Sequence, residues 1–272
     1  MEHATPANSP TSNSRPRWLS SSRCLAIASQ LQEELDRRLD PKPWIEANLW
    51  IRDKQRRIVP FLLNWAQLEY YAHRTARDII LKARQMGFTT LVCGLYFADA
   101  LLRPNTTSVI VAHDIDSAEK IFRIVQLFWE RLPEAERRRV GEPRFSNRRE
   151  FLWPKINSQF YVGTAGSLTF GRGQTINNLH CSEFAFWPKP EEALVSLREA
   201  VPAGGRIILE STANGIGNHF HQLWRQAEAR ECEYATHFYV WWEDQSYSLS
   251  PTPEEQAAWA GQLRQAGLEA RA

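Results

Sequence analysis

IILKARQMGFTT, residues 79–90, sets a short apolar run, a basic loop, a glycine and two hydroxyls in that order. Ile79-Ile80-Leu81 reads as a strand, and Thr89 through Leu102 as the helix that follows its loop. A helix N-terminus presents backbone N–H groups to an anion. Glycine allows close approach, and a nearby cation completes a phosphate site. The generic pattern GxxxxGK[ST] is met only in part. Gly87 and Thr89 stand at its second glycine and its hydroxyl, but Lys82 takes the place of the first glycine and Phe88 that of the lysine. Two residues can supply the missing cation. Arg84 is preferred, because its planar fork holds phosphate oxygens bidentately, and Lys82 is second. Thr89 offers a hydroxyl to Mg²⁺. Without that chemistry, the same residues make a strand-loop-helix turn with a threonine cap.

Outward from this loop, apolar strands alternate with helical stretches. Ser108–Ala112, Ser158–Val162, Ile176–Cys181, Arg206–Leu209 and Thr236–Val240 read as strands. Ile115–Arg131, Glu191–Ala200 and Gly217–Ala229 read as helices. The two asparagines within 176–181 are out of character for a strand. Strands joined by crossover helices predict an α/β domain, a mainly parallel sheet with helices on both faces. Ligands of such sheets bind at the carboxyl ends of strands. The loops after Leu81, Cys181 and Leu209 are therefore the ones that matter.

Residues 1–22, rich in Ser and Pro, are expected to be disordered. Residues 23–39 read as an amphipathic helix limited by Pro41 and Pro43, and a further helical stretch starts at Pro253. These divisions give a helical extension at 23–54, a main domain at 55–245 and a C-terminal helical linker stub at 246–272.

The composition is that of an ordinary globular chain, with 43% hydrophobic and 24% charged residues. A net charge of +2 predicts no partner by itself. Cys24, Cys93, Cys181 and Cys232 form no CxxC pair, which argues against a zinc site or a disulfide framework. No apolar run approaches the ~20 residues that cross a bilayer. Arginine is concentrated at 123, 131, 137, 138, 139, 144, 148 and 149, against acids at 130, 134, 136 and 142. Such a run serves phosphate or DNA contact, or is a solvated helix face.

Several stretches resemble the ATPase domain of viral (tailed bacteriophage) large terminase subunits. KARQMGFTT resembles that family's variant phosphate loop, in which a basic residue opens the loop and the pattern runs R-Q-x-G-x-[ST]-[ST]. The nucleotide contacts implied are Lys82, Arg84, Gln85, Met86, Gly87, Phe88, Thr89 and Thr90. FLLNWAQLEYY resembles the adenine-binding segment, with Gln67 on the base and a spacing of about fifteen residues from Gln67 to the phosphate loop. INNLHCSEFAFW ends in Ser182-Glu183 where the family has Asp-Glu. Glu183 is then the general base and a metal-site residue with Thr89, and Arg84 joins it in catalysis. Strand alternation is expected to point His180 away from Glu183. A serine at 182 leaves the metal without its usual charge.

RIILESTANG resembles the coupling segment, carried by Ser211, Thr212, Ala213, Asn214 and Gly215, although Asn-Gly is also a simple turn. TFGRGQT projects Arg172, which joins Arg138 and Arg139 as candidates for DNA contact or for an arginine finger. HFYVWWED resembles the passage out of the ATPase domain.

The resemblance covers roughly residues 55–245 and implies a P-loop NTPase fold of the RecA/ASCE type. It implies an ATPase using Mg²⁺ with ATP to translocate double-stranded DNA into a procapsid. Its partners would be the portal protein, the small terminase subunit and copies of itself in a ring, in the cytoplasm of an infected bacterial host. No nuclease activity is expected from this chain. The competing readings are a helicase-like P-loop module that binds DNA and a non-hydrolysing structural one.

Overall fold

The computed structural model describes residues 39–144, 149–166, 174–244 and 251–265. In chain order the elements are α1 (Pro41–Asn48), β1 (Trp50–Arg52), β2 (Ile58–Pro60), α2 (Trp65–His73), β3 (Arg77–Lys82) and α3 (Phe88–Leu102). They continue with β4 (Thr107–Ala112), α4 (Ile115–Arg131), α5 (Glu134–Val140), β5 (Glu150–Trp153) and β6 (Ser158–Thr164). Then come β7 (Asn178–Ser182), α6 (Pro190–Glu199), β8 (Arg206–Ser211), α7 (His219–Glu228), β9 (Ala235–Tyr239) and α8 (Pro253–Gln265). The expected helix at 23–39, the segment 1–22 and Arg172 lie outside the described residues.

A seven-stranded sheet runs β5-β6-β4-β7-β8-β3-β9. Every neighbouring pair is parallel except β5 with β6. The chain thus has an α/β fold, a mainly parallel sheet flanked by helices. Paired residues of parallel strands share a face, and alternate residues change face. Ile80, Ile110 and Ile208 pack with α1, α2, α3 and α4 on one side. Ile79, Val109, Val111, Leu179, Cys181 and Leu209 pack with α6 and α7 on the other. Strands buried on both faces read as continuous apolar runs, which is why they were visible in the sequence.

β7 departs from that rule for a reason. Asn178 is buried, yet its amide donates to Asp99 at 2.7 Å and to Ser108 at 3.1 Å. His180 and Ser182 follow on the same face, turned toward α3 like Asn178. α3 is buried nearly all round, as a helix between a sheet and two other helices must be. α4 is amphipathic, burying Ala118, Ile121, Phe122, Val125, Phe128 and Trp129 at helical spacing. Asp114 caps it by accepting from the Ser117 N–H at 2.7 Å.

Three elements go beyond what the sequence predicts. Pro41 opens a helix rather than only closing one, with Asp40 as its cap. The hairpin β1–β2 is laid against α4 and spans residue 54, so the division drawn at 54/55 falls inside it. β5 is a short antiparallel edge strand, anchored by Phe151 and Trp153 stacked at 5.5 Å.

Candidate active site

The loop between β3 and α3 is shaped by two left-handed residues, Gln85 (φ 60°) and Gly87 (φ 79°). Alternating backbone of this kind turns successive N–H groups into one concavity, and the N-terminus of α3 adds its own. Gly87 is required twice over. Its φ is costly for a side chain, and a Cβ there would lie 2.7 Å from the Gln67 amide nitrogen.

α2 braces this loop. Asn64 and Gln67 form a capping box, in which the Gln67 N–H donates to the Asn64 side chain while the Asn64 N–H donates to Gln67 Oε1. Gln67 Nε2 then donates to the Gly87 carbonyl at 2.8 Å, and Asn64 Nδ2 to that of Met86 at 3.2 Å. The residue expected on the adenine holds the loop between β3 and α3, with both ends of its amide bonded. Asn-x-x-Gln ahead of an apolar run was the signal for this role. A cavity of about 730 Å³ opens beside the loop, lined among others by Ile51, Asn64, Gln85, Gly87, Thr90 and Arg123. That volume is in the range of small-ligand sites.

Phe88, at the place of the usual lysine, is a core residue. It is buried against the Tyr239 ring at 4.6 Å and meets Tyr70 edge-on at 5.9 Å. The cation inside the site comes from β3 instead. Lys82 is buried, with its ammonium 3.0 Å from Glu183 Oε1 and 3.2 Å from Glu210 Oε1. Burial pushes its pKa down, but the two carboxylates outweigh burial and the net shift is upward. Arg84, the preferred cation from sequence, is exposed on the loop.

Glu183 follows β7 in the left-handed region, at φ 50°. Such a conformation costs roughly 1–2 kcal/mol outside glycine, and residues held in it cluster at functional sites. Its Oε2 accepts from the Thr212 N–H and hydroxyl, both at 3.1 Å, and from the Ser211 hydroxyl at 3.4 Å. Asn214 donates to the Ala185 carbonyl at 2.9 Å, and Gly215 turns the chain at φ 74°. The segment expected to couple, residues 211–215, thus grips the chain just after β7, with Ala213 between its polar contacts.

Glu210 lies within RIILESTANG, but no sequence motif assigns it a role. It is fully buried at the end of β8 and accepts from the Thr89 hydroxyl, with both carboxylate oxygens at 3.2 Å. His180 Nε2 lies 2.8 Å from its Oε2. His180 was expected to turn away from Glu183, and its partner is Glu210, which Lys82 links to Glu183. Burial drives the Glu210 carboxyl upward, but Lys82 and His180 more than reverse this, holding it at about 2 against an ordinary 4.5. A carboxyl lowered on folding stabilises the fold above its unfolded value and ceases to do so as pH falls. Melting wild type and Glu210→Gln in parallel should show a gap that is widest above pH 4.5 and closes toward pH 2. A gap that stays constant over that window would contradict the ionised assignment.

The arginine candidates lie elsewhere. Arg138 pairs with Glu134 on the exposed side of α5. Arg139 bonds Glu136 and donates to the Leu101 carbonyl at 3.1 Å, at the far end of α3 from the phosphate loop. Fifteen helical residues put that end about 22 Å away. Among the described residues no cluster of three or more His, Cys, Asp or Glu is placed to hold a metal ion, and no helix is long and apolar enough to cross a membrane. Thr89, Ser182 and Glu210 nonetheless form a set of hard oxygen donors. That set suits Mg²⁺, which is commonly held by one or two carboxylates together with substrate phosphates.

The structure thus combines a mainly parallel sheet, a braced loop between β3 and α3, and two acidic residues, Glu183 and Glu210, near the carboxyl ends of neighbouring strands. Among solved structures, the ATPase domain of the Thermus phage P74-26 large terminase matches with a TM-score of 0.53 and 19% identity, over 75% of this chain and 88% of that one. The bacteriophage HK97 large terminase matches with a TM-score of 0.61 and 16% identity, over 84% of this chain. The chain spans 51% of the HK97 protein's length. No protein-family profile matches the sequence, and none of the curated proteins matches it. At these identities the likeness is one of fold.

Proposed function

We propose that this chain is the ATPase motor domain of a phage large terminase, hydrolysing ATP to drive double-stranded DNA into a procapsid. The observation that carries the reading is the meeting of Lys82, Glu183, Glu210 and Thr89 at the carboxyl edge of the sheet, beside the braced loop. Backbone N–H groups from the loop and α3 orient the phosphates. Lys82 offsets their charge, and Glu183 takes a proton from the attacking water. Thr89 would help hold the Mg²⁺ that accompanies ATP, and that ion would add to the neutralisation of the phosphates. Ser211 and Thr212, bonded to Glu183, are placed to register a change at that carboxylate and pass it to α7.

Two features favour hydrolysis over the non-hydrolysing alternative. Phe88 is accounted for as a core residue, and Lys82 supplies the charge that Phe88 lacks. As a motor this domain would work in a homo-oligomeric ring on the portal protein, with the small terminase subunit, in the host cytoplasm. Arg138, Arg139 and Arg172 remain the arginines proposed for the neighbouring subunit or for DNA.

The test is ATP turnover by the purified chain with and without double-stranded DNA, over a range of protein concentrations. Turnover per subunit should rise with both, because an arginine donated by a neighbour is worth orders of magnitude in phosphoryl transfer. A rate indifferent to DNA and to concentration would count against the motor. No turnover under any condition would count against the enzyme.

A further inference from the structure

We propose that Glu210 supplies the carboxylate that Ser182 lacks, completing a Mg²⁺ site for MgATP from the adjacent strand. The proposal rests on the ATPase reading above and adds to it a residue with no assigned role.

Register is the first support. Ser182 on β7 is paired with Glu210 on β8, so the two side chains rise side by side on the face that meets α3. Their oxygens are 3.5 Å apart. A carboxylate moved from 182 to 210 therefore stays in the same place relative to the phosphate loop.

The second support is spacing. Both Glu210 oxygens stand 3.2 Å from the Thr89 hydroxyl. Adjacent ligands of an octahedral Mg²⁺ with bonds of about 2.1 Å are about 3 Å apart. Glu210 and Thr89 are thus separated as neighbouring ligands would be, or as one ligand and the holder of a bound water.

The third support is that Glu210 breaks an apolar strand. Ile207, Ile208 and Leu209 precede it, and its own side chain has no exposure to solvent. A buried ion pair contributes little that an apolar residue of similar volume would not. A charge kept here, at the strand end facing Thr89, fits a ligand role better than a packing role. Lys82 meets it at 3.2 Å from the loop side, so this carboxylate already holds a cation in the structure. His180 at 2.8 Å fixes its orientation from below, as groups behind a metal ligand commonly do.

The experiment measures affinity for a fluorescent ATP analogue with Mg²⁺ and with EDTA, in wild type, Glu210→Gln, Glu210→Gln/Ser182→Asp and Ser182→Asp. In wild type Mg²⁺ should tighten binding, and in Glu210→Gln that gain should shrink by about tenfold or more, while affinity in EDTA holds or improves. Ser182→Asp should restore the gain in the Glu210→Gln background and add nothing in the wild-type background.

Wild type that binds the analogue while Glu210→Gln keeps the full Mg²⁺ gain overturns this proposal alone. Wild type that binds no nucleotide in either condition overturns the ATPase reading, and this proposal with it. Should Glu210→Gln not fold, Ser182→Asp decides. A rise of about tenfold in its Mg²⁺ gain would mean that no carboxylate was serving the metal before, and would overturn the proposal.

Discussion

Glu183→Gln should bind ATP about as well as wild type and turn it over at least ~10²-fold more slowly, the scale of losing a general base. The amide keeps the shape of the side chain and its contacts with Ser211 and Thr212, so the strand end should hold its form. What it loses is basicity. Ser182, its neighbour, has a neutral hydroxyl that takes no proton from water near neutral pH. Glu183 and Glu210 both meet Lys82, and Glu210 is held in addition by the buried His180. Glu183 is also the more accessible acid, with its side chain 25% exposed against 0% for Glu210. Single-turnover hydrolysis and nucleotide titration measured on the same preparation would check both halves. Wild-type turnover by Glu183→Gln would remove it as the base and bring the structural-module reading forward.

The second large effect is expected at Lys82. Lys82→Met should lose turnover by ~10²-fold or more and weaken nucleotide binding, because no other buried cation faces the loop among the described residues. Arg84→Ala should cost only a few-fold on the same scale. The order proposed here is the opposite of the one preferred from sequence, and the reason is burial. Lys82 ends β3 buried against Glu210, whereas Arg84 is exposed on the loop. Removing Lys82 also leaves Glu210 as an uncompensated buried charge, which by itself destabilises by roughly 3–5 kcal/mol. The double variant Lys82→Met/Glu210→Gln separates the two effects. It should regain thermal stability and stay inactive. A dead Arg84→Ala beside an active Lys82→Met would restore the order preferred from sequence.

Much of the sheet was legible because strands buried on both faces leave apolar runs of four to six residues between turn signals. The short antiparallel β5 and the hairpin β1–β2 were not, since three or four residues carry too little pattern to stand out from a loop. In the candidate site, Gly87, Thr89 and Glu183 were singled out through their order and spacing, and the structure sets all three at one edge of the sheet. Gln67 was expected on a base, and Asn64 three residues earlier also marked it as half of a helix cap, the role seen here. Glu210 went unassigned because the strand was read as ending at Leu209. A charged residue at a strand's carboxyl end looks like the first residue of a turn until the neighbouring strands are placed beside it. The reach of Lys82 back across β8 depends on strand order, which no local pattern reveals.

The burial of Phe88 bears on how such a loop can change by descent. A lysine in its place would carry an ammonium into the space between the Tyr70 and Tyr239 rings, and losing a packed phenylalanine there costs roughly 3–5 kcal/mol before the charge is counted. A lineage bearing this loop cannot drift to the commoner lysine placement by single steps. Dropping Lys82 first leaves the site without its buried cation, and making the Phe88→Lys change first disrupts the packing. The rings of Tyr70 and Tyr239 would have to be replaced beforehand. The ancestry of the phosphate loop is therefore constrained by the aromatic residues beneath it more than by the loop's own residues.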